Sequence, residues 1–106
     1  MLYEMRVYEH VEGCADKVRQ RFIDEVVPRL PQHGIELVGV FTDADSGMLT
    51  YLTRYEDEDA RDKAWASFGG DEGWKAAKAA SEADGPLIAK QRKTVLTPIV
   101  PGLLNC

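Results

Sequence analysis

Apolar and polar residues alternate from Leu2 to His10. Tyr3, Met5 and Val7 fall on one side and Glu4, Arg6, Tyr8 and His10 on the other. A period of two with unlike faces predicts a strand. The period then changes. Val18, Phe22, Val26 and Leu30 recur at every fourth position, with Ala15, Ile23 and Val27 beside them and charges on the far side. This pattern predicts an amphipathic helix from near Asp16 to Leu30 that covers a sheet. Asp16 suits the helix start, where the dipole favours negative charge. Pro28 and Pro31 predict a kink or a broken last turn, and Gly34 a stop. Residues 35–42 read as a second strand, with Ile35, Leu37 and Phe41 on one face and Val38 and Val40 on the other. A polar turn from Thr42 to Gly47 joins it to a third strand, Met48 to Tyr55, as a hairpin.

The acidic run Glu56-Asp57-Glu58-Asp59 opens a second helix and compensates its dipole. Ala60, Ala64, Trp65 and Phe68 form its buried stripe, and Gly69-Gly70 break it. Asp71 caps a short third helix that carries Trp74, Ala77 and Ser81. Gly85-Pro86 end that helix, and a last strand spans about Leu87 to Leu96. Pro98 and Pro101 make residues 97–106 an extended tail.

Strand, helix and strand are thus written twice, which predicts one α+β domain over residues 1–106, a ferredoxin-like βαββαβ unit. Connection rules place the antiparallel sheet in the order 4-1-3-2, with the helices on one face. The other face is bare and is expected to carry Glu4, Arg6 and Tyr8. Glu4 and Arg6 would then pair, because a lone buried charge is costly. The second strand lies at an edge yet is apolar on both sides. Such an edge needs a cover, and a second copy of the chain supplies it, sheet face to sheet face. A homodimer closed as a dimeric α+β barrel is the expected assembly.

Charge narrows the partners. The formal net charge is −5 and no basic stripe exists, which excludes nucleic acid. No apolar run approaches the roughly 18 residues of a membrane span. Glu4 and Arg6 interrupt the start, so no secretory signal is read and a cytoplasmic protein with two free thiols, Cys14 and Cys106, is expected. His10 and His33 stand far apart without other ligands at metal spacing. No phosphate loop, dinucleotide fingerprint or G-x-S-x-G elbow occurs. Neither a metal nor a cofactor is expected.

The candidate chemistry rests on few residues. His33 reads as a general base at a cleft mouth, or as a helix C-terminal histidine facing the last carbonyls. Tyr51 would position or remove a proton beside it, and Arg54 or Trp65 would stabilise developing charge. Tyr8, Tyr55, Trp65 and Trp74 read as the ligand-binding lining of a pocket between sheet and helices, or as plain core. Arg6 either pairs with Glu4 or receives a ligand oxygen.

The stretch Tyr3-Glu4-Met5-Arg6-Val7-Tyr8 resembles the opening strand of the NIPSNAP family. His33-Gly34 followed by Leu37-Val38-Gly39-Val40-Phe41 resembles its helix end and second strand. Tyr55, Arg61, Asp71-x-x-Trp74-Lys75 and Val95-Leu96-x-Pro98 fit its later landmarks, so the likeness covers nearly the whole chain. Tyr51 and Thr53 depart from a histidine and tryptophan frequent in the family's third strand, and Arg92-Lys93 from a Glu-Asn before the last. The resemblance implies a homodimeric α+β barrel, a superfamily that includes cofactor-free monooxygenases of aromatic polyketides, haem-degrading enzymes and muconolactone isomerase-like proteins. It implies a small aromatic or lactone-like ligand and a cofactor-independent monooxygenase or isomerase. The alternative is a non-catalytic dimeric module that binds a ligand or another protein.

Overall fold

A computed structural model describes residues 1–100, 102 and 103. Cys106 and Pro101 lie outside the described residues. Four strands, β1 (Leu2–His10), β2 (Glu36–Thr42), β3 (Leu49–Tyr55) and β4 (Ile88–Leu96), form one sheet. Its order is β2-β3-β1-β4, the expected 4-1-3-2 read from the other edge, and every pairing is antiparallel. The helices α1 (Ala15–Arg21), α2 (Glu58–Gly69) and α3 (Glu72–Ser81) complete the α+β domain. Residues 97–100 follow β4 with neither helix nor strand.

The expected helix over 16–30 is shorter than its apolar spacing. The α-helical ladder ends at Arg21, and residues Phe22–Val26 form a π turn in which the Val27 amide donates to the Phe22 carbonyl. Pro28 has no amide proton to continue the ladder, so the chain passes through a turn into a 3-10 segment, Leu30–His33. Val18, Phe22, Val26 and Leu30 are nonetheless all buried in the core, with Ile35, Leu49 and Phe68. Both later helices begin where acidic side chains cap them. Asp57 accepts from the Ala60 amide and Asp71 from the Trp74 amide.

Two expectations about faces are overturned. Glu4, Arg6 and Tyr8 do not lie on the bare face. They pair across the sheet with Thr53, Tyr51 and Leu49, all buried, and they point at the helices. The uncovered face instead carries Tyr3, Met5 and Val7, beside Arg54, Leu52 and Thr50 of β3. The polar side of β1 turns inward because α2 supplies partners for it there, an ion pair from Arg61 and the ring of Trp65. The second correction concerns β2. Its register slips between Leu37 and Gly39, so Leu37 and Val40 share the helix side while Gly39 and Phe41 share the open one. The Phe41 ring folds back over Gly39, where an added Cβ would sit 2.9 Å from the ring. Phe41 is 62 % exposed.

Gly34 ends the 3-10 segment in the left-handed region, φ 75°, and its amide returns to the Leu30 and Pro31 carbonyls. A Cβ is strained in that conformation. Gly34→Ala is expected to lower unfolding free energy by about 1–2 kcal/mol, read from the midpoint of urea denaturation.

Candidate functional site

The inner side of the sheet carries a buried polar centre. The Glu4 carboxylate has no exposed surface. Its Oε1 accepts from Arg6 Nε at 3.0 Å and its Oε2 from Arg61 Nη1 at 2.8 Å. The Arg6 guanidinium lies flat over Trp65, 3.6 Å from the ring centroid. Trp65 Nε1 donates to the Tyr55 hydroxyl at 2.6 Å. That hydroxyl bonds to Thr53 Oγ1 at 2.8 Å, and Thr53 donates in turn to the Glu4 carbonyl. Both Glu4 oxygens are thus met by a guanidinium, which is what makes a buried carboxylate tolerable in low dielectric, while Arg61 Nε is buried without a partner among the described residues.

A second chain of bonds leads outward. The hydroxyls of Tyr8 and Tyr51 are 2.6 Å apart. Tyr51 is fully buried, packed on Phe22 at 4.7 Å between centroids. Burial, and then the neighbouring Tyr8, raise its pKa well above that of a free phenol, and the adjacent Arg6 guanidinium opposes the rise through charge and hydrogen bonding. Arg6 can only donate. Either hydroxyl of the tyrosine pair can be the donor, and Tyr8 is the member of the pair that leaves the buried centre.

Tyr8 borders a cavity. A space of about 280 Å³ opens between β1, β4 and the helices, and Tyr8, Phe22, Trp65, Phe68 and Trp74 give it an aromatic lining. Phe68 is 5.5 Å from Trp65 and 5.4 Å from Trp74 between centroids, so the three rings form one continuous wall. Phe22 and Val26, the ends of the π turn, line the opposite side. Arg21, Glu82, Lys78 and Lys90 supply its charges.

Three of the four aromatic residues expected to bind a ligand, Tyr8, Trp65 and Trp74, thus line one cavity. Tyr55 stands behind the wall and holds Trp65 by its indole. Tyr51 stands behind Tyr8 and reaches the cavity only through that hydroxyl. His33 and Arg54 lie elsewhere. Both His33 ring nitrogens are engaged at the junction of α2 and α3, Nδ1 with Ser67 Oγ and Nε2 with Asp71 Oδ2, each at 2.7 Å. Asp71, held below the usual carboxylate range first by His33 and then by the Trp74 amide, is the ionised acceptor. Arg54 pairs with Tyr3 and Glu36 in the register of the opposite sheet face and forms an ion pair with Glu36. The expected trio of His33, Tyr51 and Arg54 is therefore dispersed over three places.

Arg21 is the residue that the apolar pattern hides. It falls among the charges of α1, yet its side chain is only 6 % exposed and it lines the cavity. Its Nη1 donates to Ser81 Oγ at 3.1 Å and to Glu82 Oε2 at 3.0 Å. Among the described residues no cluster of His, Cys, Asp and Glu suits a metal ion, and no helix is long and apolar enough to cross a membrane.

The family model for NIPSNAP matches residues 3–101. An uncharacterised NIPSNAP domain protein from Burkholderia xenovorans is 22 % identical, with 92 % of this chain and 94 % of that one aligned and a TM-score of 0.79. A NIPSNAP family protein of unknown function from Agrobacterium tumefaciens is 23 % identical over 95 % of this chain and 92 % of that one, with a TM-score of 0.81. A structure described as an antibiotic biosynthesis monooxygenase is 16 % identical over 94 % and 100 % of the two chains, with a TM-score of 0.65. At these identities the structures share the fold. No curated protein matches.

The Glu4 carboxylate holds two guanidinium groups in place. Glu4→Ala leaves Arg6 buried without its counter-charge and is expected to cost about 3–5 kcal/mol of stability in urea unfolding. The double variant Glu4→Leu, Arg6→Met, which removes the pair on β1 and leaves Arg61 to Glu58 and Asp62, is expected to lose less.

Proposed function

Since the match over residues 3–101 makes the chain a member of the NIPSNAP family, we propose that it works as a homodimer whose subunits each hold a small, planar, oxygen-bearing molecule, aromatic or lactone-like, between sheet and helices. The observation that carries this reading is the Tyr8 hydroxyl. It stands in an aromatic cavity, bonded to the Tyr51 hydroxyl; with Tyr51 as the donor of that bond, the Tyr8 proton is free for a ligand oxygen. The wall of Trp65, Phe68 and Trp74 accepts a flat ring by stacking.

Such a donor stabilises negative charge on the oxygen it meets. Tyr8 touches the ligand; Tyr51 and Arg6 act through it, because a cation at the inner end of the chain strengthens donation at the outer end. A keto or lactone oxygen becoming an enolate, or a phenol becoming a phenolate, gains from that arrangement. Formation of such an anion is the step shared by cofactor-independent oxygenation and by isomerisation through an enolate. The antibiotic biosynthesis monooxygenase of like fold supports the first of these reaction classes.

The alternative, a non-catalytic binding module, has one observation in its favour. His33, the residue expected as the base, is committed to Ser67 and Asp71 rather than facing the cavity. Binding without turnover in the wild type would select this alternative.

The homodimer is supported by the open sheet face, where Met5, Val7 and Leu52 neighbour the exposed Phe41 and Leu96. A second copy laid on that face removes apolar surface from water and covers the β2 edge. Sedimentation at micromolar concentration is expected to show a dimer, and Phe41→Asp to shift it toward monomer.

Tyr8→Phe removes the donor and keeps the ring. It is expected to weaken binding of a hydroxylated arene such as 1-naphthol about tenfold, as measured by calorimetry, and to leave naphthalene itself unaffected. Equal loss for both ligands, or for neither, would count against Tyr8 as the oxygen's partner.

A further inference from the structure

The cavity holds a cation that its surroundings do not saturate. The Arg21 side chain is 94 % buried, and the bonds it makes within the chain leave from a single nitrogen, Nη1. Its Nε and Nη2 have no hydrogen-bond partner among the described residues. A guanidinium presents five donors in a rigid plane, and its Nε–Nη2 edge matches the two oxygens of a carboxylate. Neither nitrogen is among the buried atoms sealed from water without a partner, so the edge opens on the cavity, where a carboxylate can replace water with two charge-assisted bonds. The guanidinium carbon is 5.4 Å from the Trp74 ring centroid, which places the edge beside the aromatic wall.

The charge around it points the same way. Arg21, Lys78 and Lys90 line the cavity against one acid, Glu82, which Arg21 already engages. Among the described residues, neither lysine makes an ion pair. This cationic mouth belongs to a chain whose formal net charge is −5, so the local excess is opposite in sign to the whole. Opposed charge of that kind attracts an anion to the cavity and holds it against release.

We propose that the ligand of this cavity is an aromatic carboxylate, with its carboxylate across the Nε–Nη2 edge of Arg21 and its ring against Trp65, Phe68 and Trp74. The inference rests on the cavity being the ligand site proposed above. It adds that the molecule is an acid, anchored at Arg21, and that Tyr8 serves a second oxygen. Lys78 and Lys90 steer the anion in from the mouth. Arg21 thereby sets specificity for acids over neutral rings of the same shape.

The test compares 1-naphthoate with 1-naphthalenemethanol, an acid and a neutral alcohol on the same ring, by titration calorimetry on the full chain. The wild type is expected to bind the acid at least about tenfold more tightly. Arg21→Met is expected to bring the acid down to the affinity of the alcohol and leave the alcohol unchanged. Because that variant strands Glu82, the double variant Arg21→Met, Glu82→Gln, with both charges gone, serves if the single one does not fold; losing the acid preference there, despite removal of an acidic neighbour, supports the assignment equally. Equal affinity of the wild type for the two ligands would overturn the carboxylate and leave an aromatic cavity standing. A preference for the acid that survives in the double variant would overturn Arg21 as its anchor. If neither ligand binds, the cavity is not a site for aromatic molecules, and the proposed function falls together with this inference.

Discussion

A single buried carboxylate organises this molecule. Glu4 lies on a central strand with no contact with water, and it is tolerated there because two guanidinium groups reach it, one from its own strand and one from α2. The pairing fixes which side of β1 faces the helices. It fixes where α2 crosses the sheet, since Arg61 must arrive at Glu4 while Trp65, one turn further on, lies under Arg6. Reversing the strand would carry Glu4 and Arg6 away together and leave Arg61 on α2 without that carboxylate. Buried charge of this kind adds little net stability compared with a well-packed apolar core, but removing one member is expensive. Its effect here is on arrangement.

The cavity inherits its chemistry from that centre. Arg6 acts on two aromatic systems: it lies over the indole of Trp65, and its charge opposes the rise in the Tyr51 pKa. The contact with Trp65 helps hold the wall in place. The cavity lining takes in Tyr8, the aromatic wall and Arg21, while Arg6 itself stays behind Tyr51 and Trp65 and is not part of it.

Much of the fold is legible in the amino-acid order because its signals are local. The alternation of β1, the polar turn from Thr42 to Gly47, and the acidic residues Asp57 and Asp71 ahead of their helices all act within a few positions, and the strand order follows from connection rules. What escaped is set by distant partners. Period two says that β1 has two unlike sides and cannot say which is inward; the answer depends on Arg61, 57 residues away from Glu4. The slip at Val38 exchanges the sides of Phe41 and Val40 relative to a regular strand, and nothing in an apolar run announces it. The aromatic lining was readable as a set, because Tyr8, Trp65 and Trp74 do meet. Arg54 was not, because its face follows from register. His33 ends its segment just before Gly34, as its position implied, and spends both nitrogens on the helix junction. Arg21 was invisible for the opposite reason, since a charged residue among charges on a helix reads as solvated, and only the packing of Ser81 and Glu82 against it shows otherwise.

The wide turn at Phe22–Val26 has a consequence for how this architecture can diversify. A π turn is an α-helix carrying one surplus residue, and both of its end residues, Phe22 and Val26, border the cavity. Losing or gaining one residue there rotates the flanking side chains by about 100° around the helix axis and reshapes one wall. The sheet, the polar centre and the caps need not move. The shape of that cavity is therefore open to change by single-codon insertions and deletions, a coarser route than repacking a core one side chain at a time.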